Sequence, residues 1–164
     1  MEEEEQINSY LTFKVNGGLY GVHVSKVVEI MAYEEPRSRS AAAPYMLGLA
    51  EHRDTVVPLI DSGLKFGLGN INITPQTYVV VVEVAGAGQD FAVALTVDEV
   101  REVVEIPEQD RRPIETSYKP GYVSFAAPTA DGLAVVIDPD KVFSDTDIVD
   151  MTKAAGQAAA DSRK

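Results

Sequence analysis

The chain contains no cysteine. That excludes disulfides, thiol catalysis and any zinc site built on thiolates. It is also short of positive charge: 14 Lys and Arg stand against 26 Asp and Glu, a net charge of −12. Nucleic-acid binding rests on basic side chains neutralising phosphates, so this balance argues against DNA or RNA as a partner. It argues equally against an anionic membrane surface. No apolar run approaches the roughly 18 residues that span a bilayer, and none follows a basic start in the manner of a signal peptide. These absences predict a cytoplasmic protein with no direct membrane insertion.

The vocabulary of catalysis is thin as well. There are two histidines, His23 and His52. His23 lies between valines in a β-rich run and reads as a structural strand residue, while His52 lies in a polar turn where a solvated side chain is the default. Neither has the context of nucleophile, base and orienting group that a hydrolase requires. Asp61, Asp98 and Asp138 each follow an apolar run. They read as caps of the next turn or helix rather than as metal ligands or an acid–base pair. No phosphate loop, dinucleotide fingerprint or zinc spacing is present. The expectation is no enzyme, no cofactor and no metal.

What the chain does have is a repeat. Val24-Ser25-Lys26-Val27-Val28-Glu29-Ile30 returns as Val100-Arg101-Glu102-Val103-Val104-Glu105-Ile106, and Val57-Pro58-Leu59-Ile60-Asp61 returns as Ala134-Val135-Val136-Ile137-Asp138. Both pairs share nearly the same offset, which points to two copies of one structural unit. Around these motifs the chain alternates short β-rich runs with turn signals. Leu11–Val15 and Leu19–Val24 flank Asn16-Gly17-Gly18, an opening hairpin. Tyr45–Ala50 and Val56–Ile60 flank the polar turn Glu51-His52-Arg53-Asp54. Tyr78–Val84 has little polar interruption and reads as a strand buried on both faces. Phe91–Val97 follows it, and Tyr122–Ala127 with Leu133–Ile137 repeats the later hairpin. Helix is scarce: Asp138-Pro139 has the form of a helix start, and Asp145–Ala160 reads as a helical or frayed tail. The fold class is all-β, two small barrels related by duplication.

The ordered motifs resemble one family. Tyr10-Leu11-Thr12-Phe13, Tyr20-Gly21-Val22, Val27-Val28-Glu29-Ile30, Pro44-Tyr45-Met46-Leu47-Gly48, Arg53, Val57-Pro58-Leu59-Ile60-Asp61 and Lys65-Phe66-Gly67 are similar to CheW-like adaptors. So are Val97-Asp98-Glu99-Val100-Arg101-Glu102-Val103-Val104 and Gly132-Leu133-Ala134-Val135-Val136-Ile137-Asp138-Pro139. The resemblance runs from about Tyr10 to Phe143. It implies two SH3-like five-stranded barrels with pseudo-two-fold symmetry, short helical turns and a C-terminal helical tail. It also implies a non-enzymatic adaptor coupling chemoreceptors to the histidine kinase CheA, located in the cytoplasm at receptor arrays. The implied partners are the CheA regulatory domain, the receptor's cytoplasmic tip and other CheW-like domains. The division expected along the chain is an acidic disordered tail over 1–9, barrels over 10–70 and 71–145 with strand exchange left open, and the tail over 146–164.

Carried over by position, the partner-binding residues are Val27 and Glu29 at a first-barrel surface, Gly48 and Arg53 around the second hairpin, and Val100 and Val103 in the second half. The valines have a rival reading as core, Glu29 as a solvated strand residue, and Arg53 as the internal partner of Glu51 or Asp54. The family usually has Asn-Leu-Arg-Gly where this chain has Glu51-His52-Arg53-Asp54, and Ala94 stands where glycine is common. An adaptor of a non-flagellar chemosensory pathway and a β-barrel ligand-binding protein are the alternative functions.

Overall fold

The computed structural model describes residues 7–36, 43–85, 90–115 and 120–162. Among the described residues, ten strands form two five-stranded sheets. The first sheet is ordered β8 (Glu99–Glu105), β1 (Ser9–Val15), β2 (Gly18–His23), β10 (Gly132–Ile137), β9 (Val123–Thr129). The second is β3 (Val27–Ala32), β6 (Tyr78–Ala85), β7 (Asp90–Val97), β5 (Thr55–Ile60), β4 (Met46–His52). Both curl into barrels, called here barrel A and barrel B in that order. The duplication is visible in the topology, because each strand of one sheet has its repeat counterpart at the same place in the other. The duplicated Val-Val-Glu motif lies on the edge strands β3 and β8.

The sheets do not follow the expected division between residues 70 and 71. All five strands of barrel B come from residues 27–97, whereas barrel A joins the hairpin β1–β2 to β8, β9 and β10. The physical reason is the parallel pairing that closes each order: β2 pairs with β10, and β5 with β7. Barrel B is thus inserted within barrel A. Ser9 already lies in β1, inside the stretch read as tail; residues 1–6 lie outside the described residues.

Local chemistry explains most elements. In β1, Leu11, Phe13 and Val15 alternate inward at no more than 5% exposure, as period-two patterning requires. Val79–Val82 of β6 are all buried, as their unbroken apolar run implies. The β1–β2 turn is the two-residue pair Asn16-Gly17, both with positive φ (46° and 87°), the backbone that matches strand twist. Asp61 caps α1 (Ser62–Lys65) by accepting from the Leu64 N–H, and Asp138 caps α2 (Pro139–Val142) by accepting from the Asp140 N–H. Asp98 differs from expectation: its carboxylate accepts from the Asn16 N–H and braces the β1–β2 turn instead.

One apolar cluster takes Leu11, Phe13, Val15 and Val22 from barrel A and Val80, Val82, Leu95 and Val97 from barrel B, so the barrels share a core. Smaller clusters sit inside each, around Val57, Leu59 and Val81 in B and around Tyr10, Ala127 and Val136 in A. The Asn16 side chain adds a polar clamp across the junction, donating from Nδ2 to the carbonyls of Leu68, Gly69 and Asn70 at 3.0–3.2 Å. Gly63 has to be glycine there, because a Cβ would stand 2.2 Å from the Gly69 carbonyl oxygen. The helix α3 (Asp145–Ser162) docks through buried Met151 and a Lys65–Asp147 ion pair of 2.8 Å. Burial pushes the Asp147 carboxyl up, but Lys65, the Ser144 N–H and Tyr45 together outweigh it and hold it below the usual range.

Candidate protein-interaction site

The edge strand β3 presents two faces. Val27, Glu29 and Met31 are half-buried, while Val28, Ile30 and Ala32 are exposed. Across the barrel from it lies the other edge, β4, with its turn to β5. That turn is again two residues, Arg53 (φ 51°) and Asp54 (φ 66°), with His52 opposite Thr55. Asp54 occupies the left-handed conformation that a glycine would fill, and so does Arg53. Gly48 sits on β4 at a bulge with φ 144°, where a side chain is strained.

The two edges meet at Glu29. Its Oε1 accepts from His52 Nε2 at 2.8 Å and faces Arg53 Nε at 3.2 Å. Since β3 and β4 are the outermost strands of their sheet, these contacts bridge the seam of barrel B. Two expectations are corrected. His52 is not solvated; it is 8% exposed, because closing the seam covers the turn. Arg53 pairs with neither Glu51 nor Asp54 but with Glu29, and its side chain stays 70% exposed. Beneath this pair lies a cleft of about 230 Å³ with Met31, Leu59 and Val79 at its floor and Glu34, Glu35 and Glu51 at its rim.

Barrel A closes differently. Past β8 and a 3-10 turn at Glu108–Asp110, Arg112 exchanges two backbone hydrogen bonds with Ala126 of β9, at 2.7 and 2.9 Å. Arg111 lies over the Phe125 ring and donates to Asn8 Oδ1 and the Tyr10 hydroxyl. An ion pair reinforces the closure: Arg101 of β8 forks onto both oxygens of Asp131 in the β9–β10 turn, at 3.0 and 2.8 Å, and reaches Glu99 at 2.9 Å. The Arg101 hydrogen bonds hold the Asp131 carboxyl below its usual range.

Between the barrels runs a cleft of about 440 Å³ lined by Ile30, Gln76 and Tyr78 from barrel B and Asp98, Glu99 and Val100 from the start of β8. Ile30 is 41% and Tyr78 43% exposed. Val100 packs partly on the shared core, and Val27 does likewise. Val103 is 56% exposed on β8. A bulge explains the broken alternation from Val100 to Val103: buried Thr12 fills it, its hydroxyl donating to the Glu102 carbonyl and accepting from the Glu102 N–H.

The residues singled out from the sequence thus fall into two groups. Glu29 and Arg53 meet at one seam, with Gly48 on the same edge strand. Val100 lines the cleft, Val27 lies at the start of β3, and Val103 stands on open β8. Sequence reasoning missed His52, Ile30 and Tyr78. Ile30 carried no signal in the sequence: Val27–Ile30 and Val103–Ile106 read alike, yet Ile106 is 2% exposed. His23 has a structural task, its ring nitrogen accepting from the Ser25 N–H. Among the described residues no three His, Asp or Glu side chains converge as a metal site, and no helix is long and apolar enough to cross a membrane.

A family model described as CheW-like domain matches residues 9–147. The chemotaxis protein CheW of Bacillus subtilis is 29% identical over 100 residues, covering 61% of this chain and 62% of that protein, so the match spans less than two-thirds of that relative. The chemotaxis protein CheW of Klebsiella aerogenes is 24% identical over 138 residues, 82% of this chain and 81% of that one. Among solved structures, the scaffolding protein TtCheW from Thermoanaerobacter tengcongensis has a TM-score of 0.72 at 24% identity, covering 84% of this chain and 88% of that chain. That likeness is one of fold.

Proposed function

The chain belongs to the CheW-like family, and from that membership we propose that it is a non-enzymatic adaptor coupling chemoreceptors to the histidine kinase CheA. The observation that carries this reading is the family match over residues 9–147, nearly the whole length of both barrels. Its physical form suits the task, because the barrels offer a cleft between them and an exposed arginine at one seam. An amphipathic receptor helix would lay its apolar stripe in the cleft between the barrels, against Ile30, Tyr78 and Val100. Val103 would extend that contact along β8. Arg53, with Glu29 and Gly48 behind it and Val27 beside them on β3, would form a separate polar contact to a second partner. The protein would work in the cytoplasm, at receptor arrays.

The test is titration of the folded chain with the cognate CheA regulatory domain and, separately, with the receptor's cytoplasmic hairpin, followed by receptor-dependent kinase assays. Binding to both and restored kinase control are expected. Failure to bind either, with all proteins folded, overturns the reading. Loss of kinase control in Arg53→Ala with an unchanged unfolding midpoint is expected; normal control would remove Arg53 from the site.

A further inference from the structure

We propose that His52 is a positioning residue: by holding Glu29 at the seam of barrel B, it orients Arg53 so that its guanidinium tip stands open to a carboxylate on a partner protein. The proposal rests on the adaptor reading for its partner, though not for its geometry. Here one side of Glu29 Oε1 is occupied by the His52 Nε2–H at 2.8 Å, and the arginine atom that reaches the same oxygen is Nε, at 3.2 Å. Among the described residues the two terminal nitrogens of Arg53 meet no acceptor. The arginine therefore faces Glu29 with its stem and is open at its tip.

The acceptor fixes the tautomer. An ionised carboxylate only accepts, so Nε2 carries the hydrogen. Burial makes the tether firm: His52 is 8% exposed, while the Glu29 side chain is 35% exposed and on its own would swing into water. A leucine at position 52 offers no donor, so the substitution of histidine in this turn changes what Arg53 can do. Glu51 and Asp54 flank the arginine and repel a carboxylate at longer range. Geometry, not net charge, has to supply the contact, and a planar two-donor fork is suited to that.

The experiment combines a double-mutant cycle with a partner-independent signal. Binding of wild type, His52→Leu, His52→Gln, Arg53→Ala and the Leu/Ala double variant is measured against the CheA regulatory domain and against the receptor hairpin. For the partner contacted through Arg53, Arg53→Ala is expected to weaken binding about tenfold and His52→Leu about fivefold. His52→Gln, which keeps a donor at similar reach, returns to within about twofold of wild type, and His52→Leu adds nothing in the Arg53→Ala background. The Arg53 Nε–H NMR signal is ordered in wild type and His52→Gln and becomes mobile in His52→Leu. Should His52→Leu not fold, His52→Asn, a donor too short to reach Glu29, replaces it. An unchanged Nε–H signal, or equal weakening by His52→Leu with and without Arg53, overturns the proposal. No binding by wild type to either partner sinks the adaptor reading instead, and the Nε–H signal still decides the positioning.

Discussion

The two barrels are copies of one unit, yet their seams are joined in opposite senses. In barrel A the edge strand supplies the cation and the turn supplies the anion: Arg101 on β8 grips Asp131. In barrel B the edge strand supplies the anion and the turn supplies the cation: Glu29 on β3 faces Arg53. Barrel A adds a backbone bridge at Arg112 and Ala126, whereas the contacts described across the other seam are between side chains. A backbone bridge commits a seam to folding. A seam spanned by side chains can keep some donors for a partner. Duplication thus supplied two equivalent places, and divergence in a few residues gave one to stability and left the other with an exposed arginine.

The comparison is most strongly tested by breaking the backbone bridge. Arg112→Pro removes the N–H that serves the Ala126 carbonyl and is expected to cost about 2 kcal/mol of stability in urea denaturation; a loss no larger than that of a surface variant would mean the bridge does not close the barrel. Next come the two arginines. Arg111→Ala loses the Phe125 contact and the bonds to Asn8 and Tyr10, with an expected cost of about 1–2 kcal/mol, while Arg53→Ala stays within about 0.5 kcal/mol. Equal costs would erase the division of labour.

A smaller effect separates the turns. Asp54→Gly relieves a left-handed aspartate and should stabilise by about 0.5 kcal/mol, whereas Asp131→Gly should destabilise. The latter turn has no positive φ at Asp131 and loses the Arg101 pair. The smallest effect concerns acid. Asp131 has a folded pKa held below its unfolded value by Arg101. Its contribution is therefore present above the unfolded pKa, near about 4, and fades as pH falls through the folded value. Asp131→Asn should flatten the acid limb of the stability curve slightly, and an identical limb would show the pair contributes nothing.

The sequence made the hairpins legible because turn chemistry is local: Asn16-Gly17, the capping Asp61 and Asp138, and the buried run at Val79–Val82 all behave as their neighbours dictate. The nesting of the barrels was not, since it depends on parallel pairings of two residue pairs each between segments far apart in the chain. His52 was missed on similar grounds. Its sequence neighbours are polar, and what buries it is the approach of β3, which no local pattern records. Where the sequence pointed to Arg53 it did so through resemblance; the physical partner, Glu29, emerged only once the sheet had curled.

The insertion of barrel B within barrel A also orders events at the ribosome. Synthesis delivers every strand of barrel B by Val97, while the hairpin β1–β2, made before any of them, still lacks the other three strands of its sheet. That hairpin must wait beside a finished barrel until Ile137 has emerged. The clamp between Asn16 and the carbonyls of residues 68–70 is ready before then, so the hairpin can be moored to its sibling in advance of its own sheet.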